Sequence, residues 1–404
     1  MNRNNDKSGL SRMTIGISVL NVQTGSDYGY INRLIECLGD PAVDRTFILI
    51  GREEQKGHFI AAPANFSYRF YKLHGPVSES SGPRIDKLFN EVIADFGCDL
   101  LLEFGLGGVS SVSLPRVSMI NNFKMVGTFS NSGKPSVSRR KLTLINKSNV
   151  NNIKNARGII FSNPYLQHEI SRIIPLERLK TTSIYLGMPG PDEESSHKAI
   201  ARYGIGSRHI VSIVSSEGMK ESLRMLKAYC RAFEKDSEAP DLVLVGTNEN
   251  PRDVGLILDK INKSALQSKI KYIGTIPDED FSALLHKAHF LVIPSEIFNN
   301  ADTLVTAMNC GCAILCANKN ANQEITGGAA LYFDPDHRPD LTYKLKLTAD
   351  DKSLLDFLRR QSTSRARLFT KGQIAGRLLG FFDDVICDSK DSAAVKTPQN
   401  TVAP

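Results

Sequence analysis

A few short segments of the sequence have residue types and spacings that could do chemistry. Gly25-Ser-Asp-Tyr-Gly29 follows an apolar run, and glycines at the start of a helix let backbone amides approach an anion or a sugar. A plain tight turn uses the same residues. Gly105-Leu-Gly107-Gly108 also follows an apolar run, but Ser110 stands where a dinucleotide fingerprint needs its third glycine. The residues after it, Val-Ser-Ser-Val-Ser-Leu-Pro, do not favour a helix, so NAD and FAD are excluded there. Cys310, Cys312 and Cys316 lie close together, yet a zinc site needs a fourth ligand and a loop to carry it. Cys312-Ala-Ile-Leu-Cys316 reads instead as a buried strand. Neither a P-loop nor a His-Glu-x-x-His pair is present.

The elements that must position such residues alternate along the chain. Apolar runs at Thr14–Leu20, Thr46–Ile50, Asp99–Phe104, Arg116–Ile120, Gly158–Phe161 and Thr181–Tyr185 predict strands. Helical patterns fall between them at Tyr28–Leu38, Arg84–Phe96 and Arg139–Asn155. Gly-Met-Pro-Gly-Pro-Asp-Glu-Glu-Ser-Ser at 187–196 breaks all periodicity and reads as a linker. A second series follows, with strands at His209–Val214, Leu242–Gly246, Ile270–Gly274, Phe290–Pro294, Ala313–Cys316 and Ala330–Phe333. Its helices are expected at Lys220–Phe233, Arg252–Lys263, Asp278–His286 and Ala301–Cys310, with closing helices at Ser353–Phe369 and Gln373–Ile386. The fold class is therefore α/β, two tandem doubly wound Rossmann-like domains facing each other across a cleft. Residues 1–12 are a flexible N-terminus, 13–188 and 197–370 the two domains, 371–387 a C-terminal helix packing back on the first, and 388–404 a disordered tail.

Length and composition fit this reading. A chain of 404 residues exceeds what one core usually holds, and 41% hydrophobic with 23% charged residues is globular composition. The seven cysteines are scattered, as reduced thiols of an intracellular chain would be. No leader-like apolar segment opens the sequence and no run approaches a membrane span, so a cytoplasmic protein is expected. The net charge of +7 is uneven. Residues 1–190 carry 23 basic and 15 acidic side chains, residues 191–404 carry 27 and 28, and Phe104 to His168 contains no Asp or Glu at all. Such a stretch is either an ordinary solvated face or a surface for anions, phosphates or acidic lipid headgroups. It holds too few aromatics for nucleic acid, which needs stacking platforms.

The second half carries the most specific pattern. Pro294-Ser295, then Ala307-Met308-Asn-Cys310-Gly311, then Asn322-Gln-Glu324, then Phe333-Asp334-Pro335 resembles the donor half of retaining glycosyltransferase family 4, whose members have the GT-B fold. Lys220 with Leu226-Lys-Ala228-Tyr229, Val243-Leu-Val-Gly246 and Tyr272-Ile-Gly274 fit the earlier part of that half. In the first half the resemblance rests on Gly25, Ile120-Asn121-Asn122, Ala156–Ser162 and Ile184–Gly187. The resemblance implies a nucleotide sugar as donor substrate, a glycan or lipid-linked acceptor, and no metal or other cofactor. It places Lys220 on the diphosphate and Ser295, Thr303, Leu304 and Glu324 around the donor, with Gly25 and Asn122 on the acceptor side. Asn122 and Glu324 serve equally well as a strand-end cap and a turn residue.

The departures from the pattern fall on the chemistry. Ser215 stands where the family has an arginine, and Phe298 and Thr306 stand where it has paired glutamates. Asp302 puts an acid beside the expected phosphate unless it helps begin the helix. Glu296 replaces the first lost glutamate only if its loop shifts register. No catalytic base is identified. The resemblance thus implies a retaining glycosyltransferase of surface polysaccharide or glycoconjugate synthesis, and the departures imply a non-catalytic glycosyltransferase-like subunit that binds a glycan or a partner enzyme. The acid-free stretch predicts peripheral association with anionic vesicles that weakens as salt rises. Flotation measures it, and salt-insensitive binding, or none, removes the electrostatic contact.

Overall fold

The computed structural model describes residues 13–22, 25–73, 82–104, 112–121, 153, 155–172, 174–215, 218–246, 250–294 and 300–394. It divides into two compact units, one of residues up to Ile184 together with Lys371 onward, the other Tyr185–Thr370.

The first unit is built on a seven-stranded sheet of β1 (Thr14–Ser18), β2 (Thr46–Arg52), β3 (Phe66–Tyr71), β4 (Leu100–Phe104), β5 (Arg116–Ile120), β6 (Gly158–Phe161) and β7 (Lys180–Ser183). Their order is β3-β2-β1-β4-β5-β6-β7, and every pair is parallel. The inner strands are largely apolar because helices cover both faces; Ile15, Ile17, Leu100, Leu102 and Ile159 are all fully buried. β3 is absent from the strands expected above, since Phe-Ser-Tyr-Arg-Phe-Tyr has no apolar run. It alternates ring and polar side chains as an edge strand does. Helices α1 (Gly25–Leu38), α2 (Gly82–Phe96) and α3 (Pro164–Ser171) belong to this unit. The helix expected over Arg139–Asn155 lies almost wholly outside the described residues.

Strands β8 (His209–Ile213), β9 (Asp241–Val245), β10 (Ile270–Gly274), β11 (Phe290–Ile293), β12 (Ile314–Ala317) and β13 (Leu331–Phe333) form the second sheet. Their order is β10-β9-β8-β11-β12-β13, again all parallel. Its helices are α4 (Glu193–Arg202), α5 (Met219–Phe233), α6 (Pro251–Asn262), α7 (Asp278–Lys287), α8 (Asn300–Asn309), α9 (Asn320–Thr326), α10 (Arg338–Asp350) and α11 (Lys352–Ala366). Two apolar clusters cover opposite faces of the sheet. One gathers Met225, Tyr229 and Phe233 of α5 with Leu345 and Leu358, the other Leu284, Leu304 and Met308 with Ile314.

Three boundaries differ from expectation, each for a local reason. The stretch read as linker already begins α4 at Glu193, because Asp192 caps the helix by accepting from the Ser195 amide at 2.7 Å. Residues 185–190 belong to the second unit rather than the first, held there by α8 as described below. The closing helix α12 runs over Lys371–Ala394 and so extends past Ile386 into the segment expected to be disordered. It is fixed to the first unit by ion pairs of Lys371 with Glu36, Asp383 with Arg45 and Asp388 with Lys180. Gly158 of β6 makes room for it, since a Cβ there would lie 2.8 Å from the Phe381 ring.

One buried group makes the first unit sensitive to pH. Glu103 in β4 is enclosed 3.5 Å from the equally buried Arg116. Burial pushes its carboxyl up to about 7, against the pull of Arg116 and with the help of Asp86. The folded chain therefore holds a proton that the unfolded chain releases, and this contribution is lost as pH rises from about 4.5 to about 7. Glu103→Gln is expected to raise the melting temperature at pH 8, by the equivalent of at most about 3 kcal/mol, and to change little at pH 4. A pH series of thermal melts checks this, and equal melting curves at pH 8 refute it.

Candidate functional site

Doubly wound sheets open a ligand crevice where the strand order reverses, at the carboxyl ends of the two central strands. In the second unit those strands are β8 and β11, whose register pairs Ile210 with Phe290, Val211 with Leu291 and Ser212 with Val292. The helices that follow them, α5 and α8, start at this edge. Here Lys220 occupies the first turn of α5 and is exposed. Thr303 and Leu304 lie in the first turns of α8. The Leu304 side chain is fully buried in the core and presents nothing to a ligand at this edge.

The turn from β8 into α5 is closed by Ser215, whose Oγ accepts from the Gly218 amide at 3.0 Å. Gly218 is the N-cap residue and supplies no side chain to cap α5, which leaves the helix terminus as a place for an anion. Beside it, Gly246 follows β9 so closely that a Cβ would sit 1.8 Å from the Val214 carbonyl oxygen. Any side chain there forces the carboxyl ends of β8 and β9 apart.

Thr306 performs a different task from the carboxylate it replaces. It is buried, its hydroxyl donates to the Asp302 carbonyl at 2.7 Å and accepts from the Met188 amide at 2.9 Å. Asn309 Nδ2 donates to the Met188 carbonyl at 2.8 Å. Gly187 and Gly190 let the segment lie flush on α8, since a Cβ at either would approach Val305 Cγ1 to 2.5 Å or the Asn309 carbonyl to 2.9 Å. Residues 187–190 and α8 are thus locked together by side-chain and backbone contacts. Asp302 lies in the first turn of α8, where a carboxylate is favoured by the helix dipole.

Glu324 sits on α9, after the neighbouring strand β12, with its side chain exposed. Partial burial raises its carboxyl above the ordinary value. Its backbone carbonyl accepts from Arg365 at 3.0 Å, and Arg365 also binds the Ile325 carbonyl and lies over the Phe369 ring. Arg365 therefore caps the end of α9, a role with no local signal in the sequence because the two lie 41 positions apart. Ser295, Glu296, Phe298 and Asn122 lie outside the described residues. Lys220, Thr303 and Leu304 are brought to one sheet edge, Glu324 to the next connection, and Gly25 belongs to the first unit.

There Gly25 is the first residue of α1. Two residues on, the buried Asp27 accepts from Asn121 Nδ2 at 2.8 Å, just past β5. Ser162 Oγ donates to the Asn121 carbonyl at 3.0 Å, and Asn163 caps α3 through the Leu166 amide at 2.7 Å. A row of polar groups thus follows the carboxyl ends of β5 and β6 and reaches the start of α1. Asp27 is not among the candidates named from the sequence, although an acid in a first helical turn beside a glycine is the available sign. Cys310, Cys312 and Cys316 are buried, and burial raises all three thiols, Cys312 to about 12. Among the described residues no group of three or more His, Cys, Asp or Glu side chains could hold a metal ion. No helix among them is long and apolar enough to cross a membrane.

Two sheets of this order, each wound on both faces, make up the GT-B fold. Within it, residues 209–351, most of the second unit, match the family model described as Glycosyl transferases group 1. The O-antigen chain mannosyltransferase B of Escherichia coli is 22% identical over 236 residues, 57% of this chain and 61% of that protein. The chain thus matches less than two thirds of that curated relative's length. Sucrose-phosphate synthase from Thermosynechococcus elongatus superposes with a TM-score of 0.67 at 15% identity, covering 93% of this chain and all of that one. The Anabaena HepE protein in complex with UDP and glucose superposes at 0.64 and 14% identity, covering 92% and 100%. At these identities the solved structures speak for the fold.

Thr306→Val is expected to destabilise the second unit by about 1–3 kcal/mol, because the Met188 amide loses its acceptor inside the protein. Thr306→Ser keeps the hydroxyl and most of the stability. Urea denaturation distinguishes them, and equal stability of the Val and Ser variants refutes the lock.

Proposed function

We propose that the protein is a retaining glycosyltransferase that moves a sugar from a nucleotide-sugar donor to a glycan or lipid-linked acceptor in surface polysaccharide or glycoconjugate synthesis. The observation that carries this reading is the second unit itself. It matches the group 1 glycosyl transferase model, and its strand order starts α5 and α8 side by side at the carboxyl ends of β8 and β11. Two helix N-termini and Lys220 supply positive potential where a departing nucleoside diphosphate gathers negative charge. The structural neighbour carrying UDP and glucose and the curated relative named as a mannosyltransferase support a donor of that class.

On this reading the Lys220 ammonium and the first-turn amides of α5 hold the diphosphate, and the Thr303 and Leu304 amides contact its other oxygens. Glu324 lies toward the donor sugar. The chemistry then needs no metal or other cofactor. Gly25 and Asn122 lie on the acceptor side, where the basic first unit faces an anionic membrane surface.

A second reading has its own observation. The hydroxyls of Ser215 and Thr306 are both engaged in holding backbone amides, so neither substitutes for the missing arginine or carboxylate. A scaffold that binds a glycan or a partner enzyme without transferring a sugar fits that observation.

Calorimetry with a panel of UDP and GDP sugars separates the two. The transferase reading expects saturable binding of one donor, weakened by about 1–3 kcal/mol in Lys220→Ala through loss of a charge-assisted contact. Lys220 is exposed, so the variant should fold normally. Donor hydrolysis or transfer should be unchanged by EDTA. Failure of every nucleotide sugar to bind the folded protein leaves only the scaffold.

A further inference from the structure

A pocket of about 620 Å³ opens in the first unit, beside the edge strand β3 and the connection that leads into it. Its size falls within the roughly 300–1,000 Å³ of small-molecule sites. Phe59, Tyr68 and Phe70 line it with their rings, Ile60 adds an aliphatic wall, and Glu53 and Lys56 stand at the rim. Phe59 and Phe70 are nearly parallel, 23° between planes and 6.0 Å between centroids. Tyr68 stands steeply against both, at 66° and 82°. The set is half-buried rather than closed into a core. Nothing in the proposed transfer reaction uses it.

The lining selects among ligand classes. A bare phosphate would find ring faces and a glutamate beside the lysine, which cancels most of the local charge. The remaining cation, Arg69, is drawn over the Phe96 ring at 4.8 Å. An acyl chain would gain from the rings but would have to lie against Glu53 and Lys56. A pyranose has both parts: a C–H face that packs on an aromatic ring and hydroxyls that bond charged and polar side chains at the rim.

The pocket wall is also joined to the start of α1. Residues 53–58 form a short 3-10 helix after β2. From it the buried Gln55 donates through Nε2 to the carbonyls of Val19 and Val22, both at 2.9 Å. These belong to the connection that leads to Gly25. Tyr28 of α1 stacks on His58 at 4.3 Å and meets Phe59 edge-on at 5.5 Å. One continuous set of rings therefore leads from the first turn of α1 to the pocket.

We propose that this pocket is a carbohydrate subsite that takes a sugar unit of a glycan chain, packed against the ring wall formed by Phe59, Tyr68 and Phe70 and hydrogen-bonded by Glu53 and Lys56. The presence of a glycan there rests on the transferase reading, with the pocket holding an acceptor unit remote from the reacting end. Binding itself does not require catalysis.

The test is titration of the full chain with neutral mannose and glucose oligosaccharides of increasing length, followed by calorimetry and saturation-transfer NMR. Longer oligosaccharides should bind saturably, and Phe59→Ala should weaken them roughly tenfold. Lys56→Ala, at an exposed position, should weaken them severalfold, and Lys220→Ala should leave them unchanged. Absence of binding by every oligosaccharide, unaltered affinity in the folded Phe59→Ala and Lys56→Ala variants, or occupation by an alkyl detergent in place of sugars overturns the subsite. Nucleotide-sugar binding measured in parallel separates the two claims. Glycan binding without donor binding sinks the transferase reading and keeps the pocket, and the reverse sinks the pocket alone.

Discussion

The constraint on which this molecule depends is the reversal of strand order at β1 and β4 in one unit and at β8 and β11 in the other. Parallel strands need crossover connections of fixed hand, so helices leaving two adjacent central strands must turn to opposite faces of the sheet. The carboxyl ends of those strands are then left without a covering helix. In the second unit that opening is bordered by Ser215, Gly218 and Lys220 on one side and by the first turn of α8 on the other. Gly246 fits the neighbouring carboxyl end so tightly that no side chain could be added without disturbing the opening. The position of the candidate site is therefore a property of the winding, before any particular side chain is considered.

What the side chains add is unusual for the diphosphate site proposed above. Two positions at which a charge would be expected carry hydroxyls, and both hydroxyls are turned to the backbone. Ser215 tightens the turn that aims α5, and Thr306 ties α8 to residues 187–190. Among the described residues, positive potential at this edge rests on helix termini and Lys220. Helix dipoles act over about one turn, so the donor binding proposed for this edge would depend more on the orientation of α5 and α8 than on long flexible cations.

Much of the architecture is legible in the sequence because fully buried parallel strands are apolar along their length. Arg116–Ile120, Gly158–Phe161 and Ile270–Gly274 begin and end where the apolar runs do. β3 escapes because its ring and polar residues alternate, and α4 because a Gly- and Pro-rich approach hides the cap at Asp192. α10 escapes as well, its pattern of Leu341, Leu345 and Ala349 diluted by polar residues. For the site, spacing locates Lys220 and the start of α8, since a helix terminus after a strand is a local event. It cannot reveal the Met188–Thr306 lock, the Arg365 cap or the Asn121–Asp27 bond, whose partners are separated by tens of residues or more.

The return of α12 to the first unit has a consequence for how the chain comes to be folded. Because Lys371 onward belongs with the residues that end at Ile184, the second unit is an insertion in the first, with all of its own strands and helices emerging from the ribosome in one uninterrupted stretch. The first unit lacks the Phe381 and Val385 side chains that fill the space over Gly158 until the whole second unit has been synthesised. The unit whose strands are made before the second unit therefore completes its core only after it, and must wait through the synthesis of another whole domain with an apolar seam exposed.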